Sequence, residues 1–254
     1  CGSPVVSSLE LLSAYFTMSP FQSPFSRQRA SILKKDGAPC GYACVAEFQS
    51  RGQGRRGRRF VSPIGNIYLS VLWRFDRDAS FLSGLSVAVG VVVAEVCQRL
   101  GVTEAGVKWP NDVLMEGRKV SGILIELTNR SDSMEMVIGV GINVGAKEFL
   151  IGGVEQEVAD VTEQIRDLSR SVLAGQVITS VHGYCREFEE HGFRSFRDRW
   201  TTLHAYQDQQ VTVTSGSMTI HGICRGISGS GALLVDNGME VVELIGGEIT
   251  VRQT

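Results

Sequence analysis

Between Phe81 and Ala94 the chain carries no charged side chain. Leu85, Val89, Val92, Val96 and Leu100 recur at steps of three and four, which predicts a helix over 80–100 with Gly101 as its stop. The apolar run falls short of the roughly 20 residues a membrane-spanning helix needs. Such a helix has to be packed into a globular core, and 254 residues are ample to build one. With 43% hydrophobic and 20% charged residues, disorder is excluded as the dominant state. The net charge of −2 argues against a general nucleic-acid or membrane-surface binder.

Strands are predicted on either side of this helix, at Tyr42–Phe48, Asn66–Trp73, Gly106–Trp109, Val113–Met115, Lys119–Leu127 and Met134–Gly141. Glu116-Gly117 supplies a hairpin turn. Residues 158–200 predict helix, with Val161, Ile165 and Leu168 on one face and Val181, Tyr184 and Phe188 on another. Residues 1–40 show little pattern, and the prolines and serines of Ser19–Ser26 predict a loop. After Trp200, short apolar runs at Val211–Val213, Met218–Cys224, Ala232–Val235 and Glu240–Leu244 alternate with glycine-rich turns, as in a small β-barrel. The expected fold is α+β. A central mixed β-sheet with helices packed on it takes residues 1–205, of which 1–25 form an undefined extension. The barrel takes 206–254. The boundary falls near 203–209, where the chain is polar and aperiodic.

Three segments carry chemistry. Ser50–Arg59 packs five arginines and three glycines into ten positions with no acid among them. Glycines allow close backbone approach to a ligand, and arginines offer forked donors to phosphate or carboxylate. A solvated basic loop or an RNA-binding tract is the alternative, but the segment lies between two strands rather than in a low-complexity tail. Lys108-Trp-Pro-Asn-Asp112 is followed by Gly117–Glu126, where Lys119 begins an otherwise apolar strand. That lysine either snorkels to solvent or stands as a point charge at the mouth of a site. In Val137–Asn143, Gly139 and Gly141 share one strand face, as a floor without side chains or as a simple bulge. The four histidines, His182, His191, His204 and His221, have no metal spacing, and no metal site is read. The six cysteines form no CxxC pair or framework and no basic residue precedes Arg27, which points to a reduced, cytoplasmic protein without an export signal.

Taken in order, these segments resemble the catalytic domain of bacterial biotin protein ligases, that is, biotin–[acetyl-CoA-carboxylase] ligases. The family's GRGRRGR loop is similar to Gly52–Arg58, its KWPND to Lys108–Asp112, its GRKxxGILxE to Gly117–Glu126 and its GxGINV to Gly139–Val144. Gly222–Ile227, Gly231–Leu234 and Gly246–Ile249 resemble the family's SH3-like C-terminal domain. The resemblance implies ATP-dependent activation of biotin to biotinyl-5′-AMP and its transfer to a lysine of the biotin carboxyl carrier protein of acetyl-CoA carboxylase. Mg²⁺ would accompany the triphosphate.

Residue by residue, the resemblance implies Lys119 and Arg55 as catalytic groups. It implies biotin contacts at Gln49, Gly52, Gln53, Gly54, Arg55, Lys119, Gly122, Leu124 and Gly141. It implies adenylate contacts at Arg55, Arg58, Phe60, Lys108, Asn111, Asp112 and Asn143. The family's Ser-Thr-Asn falls, at its usual spacing ahead of Gln49, on Ser26, Arg27 and Gln28, where only the serine is kept; Ser8, Leu9 and Glu10 are the alternative, which needs a long insertion. Gln53 replaces a usual arginine and Phe60 a usual tryptophan. A homodimer through sheet edges is implied. About 25 residues precede Ser26, too few for the winged helix-turn-helix some relatives carry, so DNA is not expected as a partner, nor is a membrane. A lipoate-type ligase, a degenerate biotin-binding homologue and an RNA-binding regulator are the rival readings.

Overall fold

The computed structural model describes residues 16–18, 37–50, 52–58, 60–129, 133–145, 157–215 and 217–250. Seven strands form the central sheet: β1 (Phe16–Met18), β2 (Ala43–Ala46), β3 (Ile67–Phe75), β4 (Ala105–Lys108), β5 (Asp112–Met115), β6 (Arg118–Asn129) and β7 (Met134–Ile142). Their order is β1-β2-β3-β7-β6-β5-β4. β1, which sequence patterning did not reveal, runs parallel to β2, and the other neighbouring pairs are antiparallel. The sheet is mixed, as expected.

Strand alternation sorts the side chains. Ile67, Leu69, Val71, Trp73 and Phe75 of β3 join Met134, Met136, Ile138, Val140 and Ile142 of β7 in the core. Helix α1 (Leu85–Arg99) lies on that face and is buried on all sides, as its composition requires. Helix α2 (Arg170–His191) is amphipathic, placing Leu173, Val177, Val181, Tyr184 and Phe188 inward, and its N-cap Ser169 accepts a hydrogen bond from the Val172 N–H at 3.4 Å. The short α3 (Arg197–Leu203) completes the layer. Glu116 (φ 51) and Gly117 (φ 75) turn the β5–β6 hairpin where expected.

The expected helix over 158–169 is corrected. Its spacing fits a helix face, but Val158 forms a parallel bridge with Lys119, and only Val161–Glu163 makes a single 3₁₀ turn. Asp160 and Glu163 cap that turn reciprocally. The backbone here instead bonds to β6 beyond its last pair with β7.

Beyond Leu203 a second sheet of β8 (Gln210–Ser215), β9 (Met218–Ile227), β10 (Leu233–Asp236), β11 (Val241–Leu244) and β12 (Glu248–Thr250) has the order β11-β10-β9-β8-β12 and is antiparallel. It shares one apolar core with the first sheet. Two contacts fix the junction. The Trp109 indole N–H donates to the Gly231 carbonyl at 3.1 Å. Gly231 and Gly84, both at positive φ, touch so closely that a Cβ on Gly231 would collide with the Gly84 Cα.

His204 sits in the connection, stacked on Trp200 with centroids 4.0 Å apart and with Nδ1 4.0 Å from the Cys224 sulfur. Burial lowers its pKa from 6.5 to about 4. In the unfolded chain the ring takes a proton near 6.5, but in the fold only near 4. Stability is therefore complete above about pH 6.5 and falls as the pH drops towards 4. The loss reaches about 3 kcal/mol for a shift of this size. Urea denaturation at pH 7.5 and pH 4 should show that loss, and His204→Gln should remove most of it. An identical pH slope in the variant would assign the effect to other groups.

Candidate functional site

The Gly/Arg loop closes on itself like a narrow hairpin. The Gln49 N–H donates to the Ser62 carbonyl at 3.4 Å, the Phe60 N–H to the Gly52 carbonyl at 2.9 Å and the Gly54 N–H to the Arg58 carbonyl at 2.7 Å. The Ser62 hydroxyl donates to Gln49 Oε1 at 3.0 Å. Gly52 is obligatory there, because a Cβ would collide with the Phe60 carbonyl and the Ser62 Oγ. At the tip, Arg56 (φ 56) and Gly57 (φ 76) turn the chain. Gln53 and Arg58 are exposed.

Phe60, at the end of the loop, lays its ring on the sheet. Tyr68, Gly141, Gly122 and Asp112 form one cross-strand row through β3, β7, β6 and β5. The two glycines leave a bare floor in it. A Cβ on Gly141 would stand 2.9 Å from the Phe60 ring, and one on Gly122 would stand 3.6 Å from the same ring and 3.2 Å from Lys119 Nζ. Leu124 pairs with Gly139 in the next row of the same face. The Tyr68 hydroxyl donates to the Pro63 carbonyl at 2.8 Å, and burial pushes its pKa well up.

Lys119 reaches this floor through an irregularity. Strict alternation would put it on the face of Ser121 and Ile123, towards the core. The β5–β6 register slips between Val113 and Leu114, so that Leu114 opposes Lys119 and Val113 opposes Ser121, leaving Val120 as the extra residue. This bulge turns Lys119 onto the glycine face, where Nζ meets Asp112 Oδ1 at 2.7 Å. On the other side of β6, beyond its last pair with β7, the backbone finds separate partners. The Lys119 N–H donates to the Glu157 carbonyl at 3.0 Å, the Ala159 N–H donates to the Lys119 carbonyl at 2.8 Å, and the Asn143 N–H donates to the Val120 carbonyl at 2.9 Å.

A second cluster adjoins the first. Arg55 donates to Asn111 Oδ1 and to the Gly247 carbonyl of the C-terminal sheet, both at 3.4 Å. Asn111 is itself tied to β6, its Nδ2 donating to the Ile123 carbonyl at 2.9 Å. Lys108 faces Asp112 across the β4–β5 turn. Between Arg55, Trp109, Asn111, Leu124 and Gly231 lies a cavity of about 360 Å³. Arg55, Asn111 and Leu124 line this cavity, and Lys119, Asp112 and the glycine floor lie beside it, Asp112 following Asn111 and Gly122 standing one row from Leu124.

Two expectations fare differently. Ser26, Arg27 and Gln28 lie outside the described residues. Asn143 does not present its amide to the cleft: Nδ2 donates to the carbonyls of Ala159 (3.0 Å) and Lys119 (3.3 Å), and Oδ1 accepts from Asn66 Nδ2 (3.3 Å). Ser70, which sequence reasoning passed over, lies in the row of Gly139 and Leu124. It is 1% exposed, and among the described residues its hydroxyl has no partner. A hydroxyl in the middle of an apolar strand was the available signal.

Comparisons with known proteins agree with this geometry. Residues 19–143 match the biotin/lipoate A/B protein ligase family and residues 208–252 the biotin protein ligase C-terminal domain. The chain is 39% identical to the bifunctional ligase/repressor BirA of Escherichia coli over 214 residues, covering 84% of this chain and 67% of that protein. It is 30% identical to the biotin–[acetyl-CoA-carboxylase] ligase of Mycobacterium tuberculosis, covering 82% of this chain and 78% of the relative. The biotin protein ligase of Aquifex aeolicus in complex with biotin and ATP superposes with a TM-score of 0.77 at 27% identity, covering 90% of this chain and 95% of that one. The chain belongs to the biotin protein ligases of the biotin/lipoate A/B protein ligase family.

Proposed function

We propose that this chain joins biotin to ATP and passes the biotinyl group to a lysine of a biotin carboxyl carrier protein. One observation carries the reading: the bulge in β6 swings a lysine out of the core onto a two-glycine floor, beside an arginine loop that closes over the same floor.

The floor of Gly122 and Gly141, with Leu124 beside it, takes the fused rings of biotin once the Phe60 ring moves aside. The Ser70 hydroxyl and the Gln49 amide supply polar partners at its rim. In the first step a carboxylate oxygen attacks the α-phosphate and pyrophosphate leaves. This brings two anions together at a cost of roughly 4 kcal/mol at about 4 Å and an effective dielectric near 20. Lys119 offsets that repulsion, with Arg55 and Arg58 meeting the charge that develops on the phosphate. Asp112 holds the ammonium over the floor until the ligand's oxygens replace it as partner. Lys108 and Asn111 flank the nucleotide end. A Mg²⁺ ion accompanying the triphosphate would offset part of its charge; among the described residues the site's carboxylate, Asp112, is engaged by Lys119.

In the second step the neutral amine of the carrier lysine attacks the acyl carbon, AMP leaves and the amine gives up a proton. The mixed anhydride must be kept from water, which is the work of the loop that carries Phe60. Residues 1–205 form the catalytic domain and 206–254 an SH3-like domain, and the chain works in the cytoplasm, paired with a second copy along a sheet edge.

Incubation of the chain with ATP, Mg²⁺, biotin and a carrier-domain fragment should add the biotinyl mass to the carrier, and omission of ATP should abolish it. Transfer of a lipoyl or octanoyl group in place of biotin, with no biotinyl product, would assign the wrong acyl substrate.

A further inference from the structure

Asn66 stands just before β3 and is 2% exposed, too far inside to meet a substrate. Each of its amide atoms has a described partner. Oδ1 accepts from the Val144 N–H at 2.8 Å, and Nδ2 donates to Asn143 Oδ1 at 3.3 Å. Asn143 in turn donates to the Lys119 carbonyl at 3.3 Å and the Ala159 carbonyl at 3.0 Å, while its N–H holds the Val120 carbonyl at 2.9 Å. The chain of bonds runs from the start of β3, across the end of β7, to the two residues that form the bulge.

The bulge is a costly conformation to hold, because it lies beyond the last β6–β7 pair, where the backbone groups of Lys119 and Val120 must find other partners inside the protein. Asn143 and the 157–159 segment supply them, and Asn66 fixes which way the Asn143 amide faces. An amide turned the other way would point Oδ1 at two carbonyls. We infer that Asn66 is a positioning residue for Lys119: by orienting Asn143 it holds the bulge that aims the ammonium at the reacting carboxylate and phosphate. This rests on the adenylation reading above.

The test uses biotin-dependent ATP–pyrophosphate exchange, measured per mole of folded full-length chain, for Asn66→Ala, Asn66→Ser, Lys119→Ala and the double variant Asn66→Ala/Lys119→Ala. A displacement of about 1 Å at a reacting group costs roughly 100-fold. Asn66→Ala should therefore lower kcat by roughly 10- to 100-fold while KM for biotin and ATP stays within about threefold. In the Lys119→Ala background the same change should slow the reaction no further, because the group it positions is gone. Where Lys119→Ala is too slow to follow, the division between kcat and KM decides.

An equal further loss in the double variant overturns the inference, as does a loss confined to KM or to the yield of folded protein. If neither Asn66→Ala nor Asn66→Ser folds, Asn66 is a folding residue and the inference fails. If Lys119→Ala itself keeps the wild-type rate, the fault lies in the adenylation reading, and the two failures are told apart.

Discussion

Lys119→Ala should lower biotin-dependent ATP–pyrophosphate exchange by about 1,000-fold, the equivalent of the roughly 4 kcal/mol of carboxylate–phosphate repulsion left uncompensated. The fold should survive, since the lysine lies at the cleft rather than in the core and its removal opens no buried cavity. The damage should fall on kcat more than on KM. The ammonium matters most when the carboxylate closes on the phosphate, and that charge proximity peaks in the transition state. Retention of the rate within about tenfold, or 1.4 kcal/mol, would show that the loop arginines do this work alone. Arginine should replace the lysine poorly, because its planar fork is longer than the ammonium that now packs close over Gly122.

Gly52→Ala should weaken the site by a different route. The new methyl group collides with the Phe60 carbonyl and the Ser62 hydroxyl, so the rungs that close the loop cannot all form. Overpacking of this kind costs about 2 kcal/mol, or roughly 30-fold, and here it is drawn from the closed loop rather than from the core. Biotin affinity should therefore fall by about that factor with little change in thermal stability. Isothermal titration with biotin and a melting curve on the same sample separate the two. An unchanged affinity would mean that loop closure contributes nothing to holding the ligand.

The parts of the site that were legible in sequence are those made of unusual residues in ordinary places. A lysine in an apolar strand, paired glycines on one strand face and an arginine-rich turn each depart from what a simple core needs, and Lys119 does stand on the floor of Gly122 and Gly141, with Arg55 bonded to Asn111 next to Asp112. The direction of Lys119 was not legible, since it depends on a register slip against β5 that no local pattern encodes. The same holds for β1 and for the Val158 bridge, which are pairings between distant segments. Val161, Ile165 and Leu168 imitate a helical stripe. The capping pair Asp160 and Glu163 was the visible sign of a short turn, but it competes poorly with a regular apolar period. Asn143 was placed at the ligand from motif position alone. Counting the backbone groups a bulge leaves unpaired shows why its amide faces inward.

Where Gly84 and Gly231 lie against each other and the Trp109 indole reaches across, the Lys108–Asp112 turn rests its back on the smaller sheet. That sheet is accordingly a buttress for the cleft and not an appendage. Severing the chain near residue 206 would strip a hydrogen-bonding ceiling from an indole and a carbonyl anchor from Arg55, so the two pieces would each be worth less than half of the whole.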